Sequence, residues 1–192
     1  MSKNKLNLLY IYIIVMYITS LSQITPDLSR IVTSRAFQES FVGYEFSKNV
    51  KQICLYNYKQ SLVGVQFPET LDMLELINHT QSLVGVKFND QLETLSLCYY
   101  NLSLDGINLP NQLKFLELFN YPRPIKYVNF PESLQEILIE LPSPLECDFP
   151  HGVIIKFRHA YHKIEYEFIK KDECFYYYSY LKYPREHFIK SV

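Results

Sequence analysis

The sequence predicts a mainly β solenoid of about six 21-residue coils, with one parallel strand per coil. Two segments nearly duplicate each other: Ser61–Leu76 reads SLVGVQFPETLDMLEL and Ser82–Leu97 reads SLVGVKFNDQLETLSL. The period extends both ways through Phe46, Phe67, Phe88, Leu109 and Phe130, each 21 residues after the last, with Phe149 following after 19. Apolar residues recur at fixed offsets from these marks, as stacking requires when a coil buries its apolar side only against its neighbours.

Each coil divides into the same parts. Seven and nine residues after the mark stand Ile53 and Leu55, Leu74 and Leu76, Leu95 and Leu97, Leu116 and Leu118, Ile137 and Ile139. An apolar pair with a polar or variable residue between has the period of two of a half-buried strand. Further ladders run through Leu62, Leu83 and Leu104, through Val65, Val86 and Ile107, and through Leu71, Leu92 and Leu113. Gly43, Gly64, Gly85 and Gly106 mark a bend or a close backbone approach. Pro68, Pro110, Pro131 and Pro150 suit a turn and oppose a long helix. A coil of this length has no room for a strand plus a full helix, so its remainder reads as turn and short extended or 3₁₀ structure. Asn57, Asn78 and Asn120 recur eleven after the mark, with Asn101 displaced by two, and read as an Asn ladder serving backbone groups between coils.

Phe119–Leu138, FNYPRPIKYVNFPESLQEIL, resembles FNIP repeats, which are leucine-rich-like units with a Phe-Asn-x-Pro start and a Leu-Pro-x-Ser-Leu centre. Pro131-Glu132-Ser133-Leu134 matches that centre, while Phe119-Asn120 with Pro124-Ile125 approximates the start. The other coils match more loosely, with Asn89 in place of the Pro. The resemblance spans residues 40–157. It implies a leucine-rich-repeat-like solenoid that acts as an interaction scaffold, with no catalytic residues to carry over, and often with an amino-terminal F-box.

Residues 1–39 are an apolar amino-terminal segment with three readings. Lys3 and Lys5 precede an uncharged apolar stretch, and Ser20 and Ser22 precede Gln23, the pattern of a secretory signal peptide or, uncleaved, of a membrane anchor through residues 6–21. Alternatively, an apolar helix ending at Ile18 and followed by DLSRIVTSRAF (Asp27–Phe37) is similar to a degenerate F-box, which would dock a ubiquitin-ligase adaptor. Thirdly, SLSQITPDL (Ser20–Leu28) echoes a decayed capping repeat. The first reading places the protein outside the cell or tethered to a membrane, and the sequons at Asn78 and Asn101 fit glycosylation there without deciding it. Residues 158–192 lose the repeat, turn charged and Tyr-rich, and read as a carboxy-terminal cap over the last coil.

Composition removes several classes of function. A net charge of −1 opposes electrostatic binding of nucleic acid. Cys54, Cys98, Cys147 and Cys174 form no CxxC pattern, so a structural zinc site is not expected, and no cofactor is implied. His159 and His162 read as solvated cap residues rather than metal ligands. No GxSxG, phosphate loop or nucleophile–base set is present, so an enzyme is not expected.

The strand residues between the ladder positions carry the expected site. Alternation turns Met73, Glu75, Ile77, Thr94, Phe115, Glu117, Phe119, Glu136 and Leu138 to one outward face. Apolar anchors beside carboxylates suit a basic, apolar protein surface, so this face is expected to hold a protein partner whose identity the sequence does not give.

Overall fold

A computed structural model describes residues 17–125, 127–140, 150, 152–158, 165–171, 174–179 and 188–189. The strands are β1 (Tyr17–Ile18), β2 (Arg30–Thr33), β3 (Gln52–Tyr56), β4 (Met73–Ile77), β5 (Thr94–Cys98) and β6 (Phe115–Phe119). They continue as β7 (Glu136–Glu140), β8 (Ile154–Arg158), β9 (Glu165–Lys171), β10 (Cys174–Ser179) and β11 (Phe188–Ile189). All eleven form one sheet in chain order. β1 to β8 pair in parallel, and β9, β10 and β11 each run antiparallel to the strand before.

β3 to β7 start at residues 52, 73, 94, 115 and 136, so the register advances by the repeat at every step. Leu74 lies beside Ile53 on one side and Leu95 on the other, and Leu76 lies between Leu55 and Leu97. These inward rungs are buried, together with Leu62, Leu83, Leu104, Leu71, Leu92 and Leu113 from the return path. Each strand therefore buries its inward side chains against the equivalent residues of adjacent coils and the return path, with no second layer of strands or helices among the described residues.

Two tight turns reverse each coil. In the first, Val65 N–H donates to the Leu62 carbonyl at 3.2 Å while Gly64 holds φ +87°. That positive φ at the third turn position is what type II geometry requires. A Cβ on Gly64 would meet nothing closer than Val42 at 3.8 Å, so the glycine is needed for its backbone angle and not for close approach. Ser61 Oγ accepts the Val63 N–H at 3.1 Å, and the same bond recurs from Ser40, Ser82 and Ser103. The second turn closes Leu71 N–H on the Pro68 carbonyl and Leu134 N–H on that of Pro131, each at 3.0 Å. Where Asn89 replaces the Pro, its Oδ1 accepts from Gln91 N–H at 2.8 Å and its Nδ2 donates to the Pro68 carbonyl at 2.6 Å. The side chain thus rebuilds the turn and ties it to the previous coil.

These coils correct the leucine-rich and FNIP-like reading. The described residues between each of β3 to β6 and the next strand hold turns and bends and no helix, so the repeat is an all-strand parallel β-solenoid. The Pro-Glu-Ser-Leu match is a two-residue turn rather than a family mark. The expected count of about six regular coils also falls, because strict spacing holds only from β3 to β7: β2 starts 22 residues before β3, and β8 starts 18 after β7.

The amino-terminal readings change too. Among the described residues before 40 the only helical piece is a 3₁₀ turn, Leu21–Gln23, and the Asp27–Phe37 segment contains β2, so neither the amino-terminal helix nor the F-box-like helix is present there. The docking of a ubiquitin-ligase adaptor loses the element it rested on. The signal-peptide reading is corrected at its expected cleavage point. Gln23, placed just after the expected cleavage point, accepts at Oε1 from Thr19 N–H at 2.6 Å and Ser20 N–H at 3.2 Å. Ile18 is buried in the core, and β1 pairs with β2. Residues 17–23 are thus a built part of the first described coil. The rest of the apolar run, residues 6–16, lies outside the described residues, as do Cys147 and the His159–His162 pair.

Candidate functional site

The outward face of the sheet carries three parallel columns. The first runs Gln52, Met73, Thr94, Phe115 and Glu136; the central one runs Cys54, Glu75, Ser96, Glu117 and Leu138; the third runs Tyr56, Ile77, Cys98 and Phe119. The pairing places Met73, Thr94 and Phe115 side by side, and Glu75 and Glu117 on either side of Ser96. Neighbouring strands lie about 4.8 Å apart, so the two carboxylates spring from backbones roughly 10 Å apart.

Exposure sorts these residues. Phe115 is the most open apolar member at 38 %, while Met73, Glu75, Ile77, Thr94, Glu117 and Phe119 are half-buried. The central column alternates long and short side chains. Ser96 and Cys54 are buried although they face outward, because the longer side chains on adjacent strands close over them. Burial, with the Glu75 carboxylate alongside, pushes the Cys54 thiol well above its ordinary pKa, which makes it an inert neutral thiol. Cys98 Sγ lies 3.7 Å from Ser96 Oγ.

Two of the expected contact residues are otherwise engaged. Leu138 is only 9 % exposed and serves as packing. Glu136 accepts from Lys156 Nζ at 2.7 Å, so its charge is matched within the fold. Glu75 and Glu117, by contrast, form no ion pair with another described residue. The sequon residues Asn78 and Asn101 are both exposed, but Asn78 Nδ2 donates to Asn57 Oδ1 at 2.5 Å. Asn57, Asn78 and Asn120 all adopt positive φ, between 49° and 56°. Their shared role is to end the strand in the left-handed conformation that Asn tolerates best, in addition to the side-chain ladder.

Sequence reasoning missed a ladder of rings just beyond these Asn residues. Phe37, Tyr58, His79, Tyr100 and Tyr121 stand 21 residues apart and are all buried. Centroids lie 6.0 Å apart for Phe37–Tyr58 and for Tyr58–His79, and 6.4 Å apart for His79–Tyr100. The Tyr58 hydroxyl accepts Phe41 N–H and that of Tyr100 accepts Leu83 N–H, each at 3.1 Å. The Tyr121 hydroxyl faces the Leu104 amide without a bond of good geometry, and burial pushes its pKa up to about 12. The 21-residue spacing of these rings was the available signal. A second missed feature is a stripe of exposed Val42, Val63 and Val84 at the first turn.

Among the described residues, no group of three or more His, Cys, Asp or Glu could hold a metal ion. No helix of the described residues is long and apolar enough to cross a membrane. No protein-family model matches the chain, and no curated protein matches its sequence significantly. The repeat-solenoid fold is consistent with a generic protein-binding scaffold, whose surface could mediate protein contacts in general.

Proposed function

We propose that this chain is a non-enzymatic scaffold that binds a protein partner on the outward face of β4 to β6. The observation that supports it is the set of half-exposed Met73, Ile77, Phe115 and Phe119 around Glu75 and Glu117 on one rigid sheet. Apolar side chains on a regular lattice offer anchors with little ordering cost, because stacking already fixes the strands. Carboxylates with no ion pair among the described residues favour a partner bearing Lys or Arg among apolar residues.

The test is capture from host cells with the tagged full chain, compared quantitatively across two double variants. Met73→Asp with Phe115→Asp places charge on the proposed face. Val63→Asp with Val84→Asp places it on the turn stripe. The reading expects a partner that is lost with the first variant and kept with the second, both proteins having the melting midpoint of the parent. A partner indifferent to the first variant, or lost only with the second, moves the site to the turns. Turnover of a substrate by a chain carrying the face variant would remove the non-enzymatic part of the reading.

A further inference from the structure

His79 is the only rung of the buried ring ladder that changes charge near neutral pH, and its surroundings oppose the charged form. It is 1 % exposed and lies nearly parallel between the rings of Tyr58 and Tyr100, at interplanar angles of 15° and 10°. Its Nδ1 lies 2.7 Å from the Tyr58 carbonyl oxygen. A carbonyl only accepts, so Nδ1 carries the proton of the neutral ring and Nε2 is the bare nitrogen. Nε2 is buried without a hydrogen-bond partner. In the Tyr58 and Tyr100 rungs the corresponding polar atom accepts a backbone N–H 17 residues earlier. The shorter imidazole makes no such bond to Leu62.

We infer that His79 is an acid-sensitive release built into the solenoid, whose protonation loosens the coil between β4 and β5. A proton arriving at Nε2 would create a buried N–H with no acceptor and a cation with no counter-charge among the described residues, a state far costlier inside than in water. The titratable groups facing the ring are the phenols of Tyr58 and Tyr100, which burial keeps neutral. The influences on the ring are burial, which lowers its pKa, and the weaker opposing bond to the Tyr58 carbonyl. The unfolded chain therefore takes up this proton first as pH falls through the ordinary His range, about 6.5. The stability that neutral His79 contributes is complete above that range and is lost as pH falls towards the depressed folded value. β4 ends at Ile77, two residues before His79, so loosening reaches the outward face directly.

Native-state hydrogen exchange on the full chain tests this, at about pH 7.5 and about pH 5, a span that covers ordinary His titration. After correction for intrinsic exchange, residues 74–83 are compared with residues 95–104, the equivalent stretch in which Tyr100 holds the rung. In the parent, acid should cost residues 74–83 more protection, by up to about tenfold per pH unit, the limit for one proton. In His79→Tyr, whose side chain already occupies the rung next door, that excess should vanish. Equal losses in the two stretches of the parent, or an excess that persists in His79→Tyr, overturn the inference. Should the Tyr variant fail to fold, His79→Phe gives the same reading.

Discussion

The two faces of the same strands follow opposite rules. Inward, β3 to β7 repeat Ile or Leu at both positions with no exception. Outward, the central column reads Cys54, Glu75, Ser96, Glu117 and Leu138, and no residue type holds for two consecutive strands. Stacking explains the first: each side chain packs against its own copy one coil away, so a rung of different size leaves a void or a clash. Nothing in the stacking constrains the second. Uniformity marks the residues that make the scaffold, and departure from it marks residues answering to something else.

The comparison is broken most forcefully at its inward rungs. Leu95 lies between Leu74 and Leu116 in the middle of the regular coils and is fully buried. Leu95→Ala should cost about 2–5 kcal/mol in a denaturant melt, the range for a core Leu whose surroundings relax only partly. A loss as small as that of a surface change would mean that the rungs are not packed on one another.

The turns test the same uniformity at the backbone. Gly85 holds φ +83°, yet a Cβ there would meet only Val63, at 3.9 Å. Gly85→Ala should therefore lose about 1–2 kcal/mol from the left-handed conformation alone. Pairing the change with Val63→Ala should not recover it, whereas a steric origin would allow rescue.

How far these features were legible follows from the physics of each. The inward Leu ladders could be read directly, because stacking writes the same demand at a fixed interval. Pro131-Glu132-Ser133-Leu134 was legible as a turn but misleading as a family mark, since any short coil must reverse there with similar residues. The apolar stretch ending at Ile18 carries the same composition whether it is a leader, a helix or an end coil. Of that stretch only the last two residues are described, and they pair with β2, Tyr17 beside Val32 and Ile18 beside Thr33. Of the outward face, alternation placed Met73, Phe115, Glu75 and Glu117 together. It did not show that Leu138 is packing or that Glu136 meets Lys156, because both depend on side chains of a neighbouring coil. The ring ladder was written at the same interval as the Leu ladders. His79 disguised it by changing residue class at one rung.

That rung gives a prediction of opposite sign. His79→Tyr should raise stability at neutral pH by about 1–3 kcal/mol, because it removes an orphaned buried nitrogen and lets a hydroxyl meet the Leu62 amide. Thermal melts of parent and variant at matched pH read the difference. A destabilised variant would mean that the ladder is tailored to imidazole at this coil.

The smallest effect is expected at Tyr99, where the rule for strand ends is broken on the surface. The equivalent residues are Asn57, Asn78 and Asn120, all at positive φ, and Tyr99 adopts φ 57° without being Asn. Its N–H still donates to the Phe119 carbonyl at 2.8 Å, so the backbone follows the pattern while the side chain does not. The ring is 54 % exposed and gains little burial in return for the left-handed conformation. Tyr99→Asn should therefore stabilise the chain by about 0.5–1 kcal/mol, part of the left-handed penalty that Asn bears more lightly. A gain in stability that leaves partner capture intact would make Tyr99 an accident of the repeat. A gain accompanied by loss of capture would extend the binding face past the end of β5 and give the strained ring its reason.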